Sequence, residues 1–159
     1  HHTLLGQMVR HQTKMANLER NNMEFNDLSA YGAAIEHIKV YDTAGFSFIP
    51  FSCPDALIGT ISDFILSLEE VKIAVICSHR KDGIKLSVRS ESSKAHAGEL
   101  IREAIKEFGN GGGHAGMAGG LIPQKNLELL GEYPEERITQ LFLDELDHID
   151  RTKQLEVGL

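Results

Sequence analysis

Apolar positions along this chain follow two periods, and the change from one to the other marks the elements. Leu57, Ile58, Ile61, Phe64, Ile65 and Leu68 recur at intervals of three and four. That spacing predicts a helix with one strongly apolar face, with Pro54 at its first position and Ser52 or Cys53 as cap. Ala97, Leu100, Ile101, Ala104, Ile105 and Phe108 repeat the pattern, with Ser92 or Ser93 as the expected N-cap and Gly109 at the C-terminal cap. Pro134 opens a last helix whose Ile138, Leu141, Phe142, Leu146 and Ile149 face inward. A weakly amphipathic stretch from Leu4 to about Arg20, ending at Asn21-Asn22, is read as a connecting helix.

Elsewhere the period is two. From Ala33 to Phe51 the pattern predicts two strands, with Ile35, Ile38 and Val40 in the first, Phe46, Phe48, Ile49 and Phe51 in the second, and Asp42-Thr43-Ala44-Gly45 as the turn. Val71 to Cys77 is a compact apolar run, and Lys81-Asp82-Gly83 is a hairpin signal leading into Ile84 to Ser90, which alternates strictly. Leu121-Ile122-Pro123 is short and strand-like. Strands and helices in this order predict an α/β fold, a mixed sheet covered by helices. Residues 1–30 are read as an N-terminal helix and linker, and residues 31–159 as one compact domain.

Composition narrows the class. Of 159 residues, 42% are hydrophobic and 25% charged, as in a soluble globular protein. No apolar run approaches the ~18 residues of a membrane span and no secretion pattern opens the chain, so a cytoplasmic protein without a membrane partner is expected. His1-His2 are set aside as a tag remnant, the first methionine being Met8. Cys53 and Cys77 have neither CxxC spacing nor histidine partners, and are read as two buried small hydrophobes. His11, His37, His79 and His96 form no metal-binding spacing. Asp147-His148-Ile149-Asp150 is read as a solvated acidic face of the last helix.

Two segments have the makings of a site. Seven of the twelve residues from Gly109 to Gly120 are glycine. Backbone without Cβ lets N–H groups approach an oxyanion, and a helical turn at His114 to Ala118 would add its own free N–H groups. The string is neither a P-loop nor the spaced glycines of a dinucleotide fold. In the strand Ile84 to Ser90, alternation puts Lys85, Ser87 and Arg89 on one face, where the Arg89 fork and the Ser87 hydroxyl suit a tetrahedral oxyanion. The net charge of -7 argues against coating long nucleic acid. Yet Val71 to His114 holds eight Lys and Arg against five Asp and Glu, while Asn126 to Leu159 holds three against nine, so both segments lie in the basic part. A short anionic ligand suits such a pocket better than a duplex does.

Ser87-Val88-Arg89-Ser90, then a helix, then Gly111-Gly112-Gly113-His114 running on to Gly119-Gly120, resembles the DHH-associated domain, the C-terminal module of the DHH phosphoesterases. The resemblance covers roughly Leu57 to Pro123, with Met117 standing where the family's motif has alanine. It implies the substrate-binding half of a manganese-dependent phosphoesterase acting on short oligonucleotides, nucleoside bisphosphates or cyclic-dinucleotide products. By the same resemblance Ser87, Arg89 and Ser90 are phosphate or sugar contacts, Gly111, Gly112 and Gly113 a backbone cradle, and His114 a direct ligand contact. The sequence has no DHH triplet and no aspartate cluster upstream of the strand. Manganese is accordingly expected in a separate DHH half, with no cofactor in this chain, and this chain alone is expected to bind weakly without turnover. The implied partners are a nucleotide or short oligonucleotide, the missing DHH domain and, as an assembly, a homodimer. A free-standing nucleotide or nucleic-acid binding module without catalytic activity is the alternative, and a module of the alanyl-tRNA synthetase type a third reading.

Overall fold

A computed structural model describes residues 24–158. The expected Leu4 to Arg20 helix lies outside them. Within them α1 (Phe25–Glu36) leads into the edge strand β1 (Lys39–Tyr41) and then β2 (Ala44–Ile49), α2 (Asp55–Leu66), β3 (Ile73–Arg80) and β4 (Gly83–Ser90). They are followed by α3 (Ala97–Ala104), β5 (Asn110–Gly113), β6 (Met117–Pro123), a 3-10 helix (Gln124–Leu130) and α4 (Pro134–Gly158). The six strands form one mixed sheet in the order β1-β2-β3-β4-β6-β5, with β2 and β3 parallel through the α2 crossover and every other pair antiparallel. The α/β class expected from the pattern is the one observed.

Period-two alternation sends the two faces of the sheet into two cores. On one side Ala74 and Ile76 of β3 pack with Ile49 against Ile58, Ile61 and Ile65 of α2 and Ala30 and Ala34 of α1. Tyr31 and Phe64 meet edge to face at 5.8 Å and join the two helices. On the other side Val75, Cys77, Leu86 and Val88 pack against Leu100, Ile101 and Ile105 from α3 and its end, and against Ile138 and Phe142 of α4. Both cysteines are free and buried, and burial pushes both thiols up, so neither is a ready nucleophile.

Four expectations need correction. Residues 33–36 belong to α1 and not to a strand. Its buried positions are alanines, while Leu28 and Ile35 are exposed, so the large apolar residues misreport its inner face. Pro54 is the N-cap of α2 rather than its first residue. The cap of α3 is His96, whose Nδ1 accepts the Glu99 N–H at 3.1 Å, and not Ser92 or Ser93. The helix ends at Ala104, so Gly109 is not its cap; a Cβ there would sit 2.1 Å from the Leu121 carbonyl oxygen.

The approach to α2 is held by one hydroxyl. Ser78 of β3 is buried, donates to the Phe51 carbonyl at 2.7 Å and accepts the Cys53 N–H at 3.0 Å. Ser78→Ala leaves a buried N–H without a partner and is expected to cost about 1.5 kcal/mol. Urea unfolding measures it, and an unchanged midpoint would mean that the loop finds another acceptor.

Candidate functional site

The glycine-rich stretch is not a loop. It folds into the β5–β6 hairpin, in which Gly111 pairs with Gly120, Gly112 with Gly119 and Gly113 with Ala118. The helical turn expected at His114 to Ala118 is absent: His114, Ala115 and Gly116 make the tip, and Met117 begins β6. The tip turns its carbonyls on α3, with Ala97 N–H donating to the Ala115 oxygen at 2.8 Å and Gly98 N–H to the His114 oxygen at 3.0 Å. The first amides of α3 are thereby satisfied inside the protein rather than offered to a ligand. At the tip, the N–H groups of Ala115 and Gly116 meet no acceptor among the described residues.

Alternation divides the glycines by face. Gly111 and Gly120 lie under α3, where an added Cβ on either would meet the Ile101 side chain within 3 Å. Gly112 and Gly119 lie on the opposite face, in one row with Ser87 of β4. Because α2 packs over β3 and β4 and stops short of β6, this row emerges from beneath the helix as a shelf of bare backbone. A cleft of about 310 Å³ opens there, lined by Lys85, Ser87, Arg89, Gly113, His114, Met117 and Gly119 among others. A larger hollow of about 530 Å³ lies between α4 and the β1–β2 turn, but its rim sets Lys72 and Lys94 against Asp147 and Asp150.

Two stripes meet at the inner wall of the cleft. Asp55, Gly59 and Asp63 stand four residues apart on α2 and span about 12 Å, close to the roughly 13 Å that four steps take from Lys85 to Arg89 on β4. Asp63 therefore meets Arg89, its Oδ1 accepting from Nε at 2.9 Å, and Asp55 meets Lys85 at 3.8 Å. Gly59 between them leaves room for the guanidinium, since a Cβ there would lie 2.9 Å from Arg89 Nη2. Arg89 Nη1 donates to Ser87 Oγ at 3.0 Å, and Ser87 Oγ is hydrogen-bonded to Ser62 Oγ at 2.9 Å. Ser62 donates to the Ile58 carbonyl, so Ser87, itself buried, fixes the direction of Arg89. Farther along, Asp82 and Asp55 hold the Arg80 guanidinium above its ordinary range, and Arg80 draws the Asp82 carboxyl below the usual carboxylate range.

The structure thus brings Ser87, Arg89, Gly113 and His114 to one cleft, with Gly112 on the adjoining shelf. Ser90 and Gly111 lie elsewhere. Ser90 Oγ donates to the Ala95 carbonyl at 2.7 Å and accepts the Ser92 N–H, closing the β4–α3 connection. The exposed His114 ring projects from a backbone pinned by its N–H to the Met117 carbonyl at 2.7 Å. Sequence reasoning missed Asp55, Gly59 and Asp63; a glycine inside an apolar helix, flanked at four residues on each side by aspartate, was the available signal. Asp147, His148 and Asp150 are exposed on α4, with Asp147 paired to Arg151 at 3.0 Å.

Comparison with known proteins follows the same residues. The family model of the DHHA1 domain matches residues 43–140, more than half of the chain, and that span includes every residue of the cleft. Among solved structures the fold is similar to an exopolyphosphatase-related protein from Bacteroides fragilis, with TM-score 0.59, 19% identity, and coverage of 86% of this chain and 38% of that one. It is similar to RecJ from Thermus thermophilus in complex with Mn2+, with TM-score 0.54, 17% identity, and coverage of 79% and 16%. It is also similar to the C-Ala domain of Aquifex aeolicus alanyl-tRNA synthetase, with TM-score 0.51, 21% identity, and coverage of 69% and 96%. No curated protein matches the sequence. The chain corresponds to 38% of the Bacteroides protein's length. On the matched span, the ordered Ser-x-Arg strand and the triple-glycine-histidine hairpin, the chain belongs to the DHHA1 domain family.

Proposed function

We propose that this chain is the substrate-gripping half of a DHH-type phosphoesterase, holding a phosphate of a nucleotide or short oligonucleotide for a metal-bearing half outside it. One observation carries the reading: Arg89, oriented by Ser87 and Asp63, and the exposed His114 line the same cleft beside backbone that has no side chains. A guanidinium fixed in direction before binding gives up little rotamer freedom when it meets a phosphate, and its Nη2 is the nitrogen left without a hydrogen-bond partner among the described residues. Binding and orientation are this chain's contribution, and fixing the ester relative to a catalytic centre lowers the barrier entropically.

The manganese that the resemblance places in a separate DHH half has no fitting ligand set among the described residues. Among the described residues no three His, Cys, Asp or Glu side chains converge on a common point. Asp55 and Asp63, the carboxylates nearest the cleft, already face Arg80, Lys85 and Arg89. No helix of the described residues is long and apolar enough to cross a membrane.

Calorimetric titration with adenosine 5'-monophosphate and with adenosine tests the reading. The monophosphate should bind and the nucleoside should not. His114→Ala should weaken the monophosphate about tenfold or more at an unchanged thermal midpoint, because one hydrogen bond to a charged group contributes about 1.5–3 kcal/mol. Equal binding of adenosine and its phosphate would overturn the proposal. So would release of mononucleotide from a dinucleotide by the purified chain with manganese, because the described residues hold no metal site.

A further inference from the structure

The helical layer formed by α1 and α2 is apolar on its outer side, where a surface layer is ordinarily polar. Leu28 and Ile35 are 57% and 50% exposed on α1, three residues before Tyr31 and four after it, and so share its side of the helix. Tyr31 meets Phe64 of α2 at 5.8 Å, and Phe64 is 49% exposed, so the two outer faces join into one. Leu68, four residues after Phe64 in the turn that ends α2, extends that face and is 44% exposed. Single exposed apolar residues need no explanation, but four aligned across two packed helices mark a surface that another element covers.

Charge selects the occupant. Residues 24–36 and 55–70 hold seven Asp and Glu and no Lys or Arg. Asp55 and Asp63 are held by cations of the cleft, whereas Glu24, Asp27, Glu36, Glu69 and Glu70 have no cation within salt-bridge distance among the described residues. A second copy of this face would set like charge against like, since a two-fold contact uses the same patch on both partners. The occupant is therefore basic as well as apolar. Such a segment adjoins α1 in the chain. Residues 4–20, outside the described residues, hold Arg10, Lys14 and Arg20 against Glu19. At helical spacing Leu4, Met8, Met15 and Leu18 fall on one side, with Arg10 and Lys14 four apart along its flank. Asn21-Asn22-Met23 then leads to Glu24, the cap of α1, and a link that short joins antiparallel helices. A helix over residues 4–20 would span about 25 Å, enough to run the roughly 18 Å of α1.

We infer that residues 4–20 form a helix that folds back along α1 and covers the apolar face of α1 and α2. Equal distance from the turn sets Leu18 near Leu28 and Met15 near Tyr31, and brings Arg10 and Lys14 to the carboxylates of the two helices. The inference does not depend on what the cleft holds. It does give the cleft a further support, because Phe64, under the cover, directly follows Asp63, whose carboxylate accepts from Arg89 Nε.

Two experiments on the full 159-residue chain test it. Carbodiimide coupling, which joins an amine to a carboxylate with no spacer and releases the reagent as its urea, should link Lys14 to Asp27, Glu36 or Asp63 in the monomer fraction, read as a cross-linked peptide by mass spectrometry. Met15→Asp, which sets a carboxylate between the apolar stripe and the acidic face, should speed amide exchange across residues 28–36 about tenfold and raise the binding of an apolar dye. Lys14→Glu should act in the same direction more weakly. Exchange in β3 and β4 should stay as in the wild type, which separates loss of the cover from loss of the fold. Absence of the Lys14 coupling in the wild-type monomer, or unchanged exchange of α1 in Met15→Asp, would overturn the inference. Couplings that join different chains of a dimer would overturn it as well, and would make the face an interface between copies.

Discussion

Gly113→Ala should lower the stability of the chain by about 4 kcal/mol, while Gly112→Ala, one residue earlier in the same run, should change it by less than about 0.5 kcal/mol or raise it slightly. Gly113 has φ +155, and a Cβ on it would lie 2.5 Å from the Met117 carbonyl oxygen and 2.7 Å from the Ala118 Cα. Neither atom can yield, because both belong to the backbone of the paired strand. The carbonyl of Gly113 also sits 2.5 Å from where a Cβ on Gly98 would stand, so displacing β5 pushes directly against α3. Gly112 has no positive φ and its Cβ position is open, with Arg102 Nη2, at 4.0 Å, the nearest atom among the described residues other than its chain neighbours. Urea unfolding of the two variants reads the contrast: at a slope of ~2 kcal/mol per molar, the Gly113 variant loses about 2 M of its midpoint. Similar midpoints for the two would mean that the hairpin is not packed as described.

Arg89→Ala is expected to weaken nucleotide binding about a hundredfold, and Arg89→Lys about tenfold. Removing a charge-assisted contact costs up to about 3 kcal/mol, whereas lysine keeps the charge and loses the fixed guanidinium geometry. The fold should survive. The Asp63 carboxylate left behind is 64% exposed, so it returns to water instead of remaining as a buried unpaired charge. Ser87 keeps its hydrogen bond to Ser62. A stability loss near 1 kcal/mol with a hundredfold loss of affinity separates gripping from scaffolding. Wild-type affinity in Arg89→Ala would remove the fork from the site altogether.

The parts of the site legible in the sequence are those whose side chains report their own direction. Lys85, Ser87 and Arg89 alternate with Ile84, Leu86 and Val88, and in the structure they divide between the cleft and the core as that alternation requires. The Lys81-Asp82 turn, the inward stripe of α3 and the Ile138 and Phe142 face of α4 were equally plain. Glycine carries no such signal. Residues 110–120 hid a two-stranded hairpin because a strand built from glycine shows no alternation, and its faces are defined only by what packs against each of them. In α1 the failure was of another kind: alanines fill its buried side, leaving Ile35 to imitate a strand position.

By itself, then, the sequence determined the α/β class, the β3–β4 hairpin, the polar stripe on β4 and the membership that its motif order conveys, because local periodicity and turn chemistry act over a few residues. The tertiary structure decided what those groups face. It set Asp55 and Asp63 against Lys85 and Arg89, committed Ser87 to orienting Arg89, and turned Ser90 and Gly111 away from the cleft. Each of these pairings joins residues brought together by the stacking of helices on the sheet, a geometry that depends on side-chain volumes across the whole core and leaves no mark at any one position.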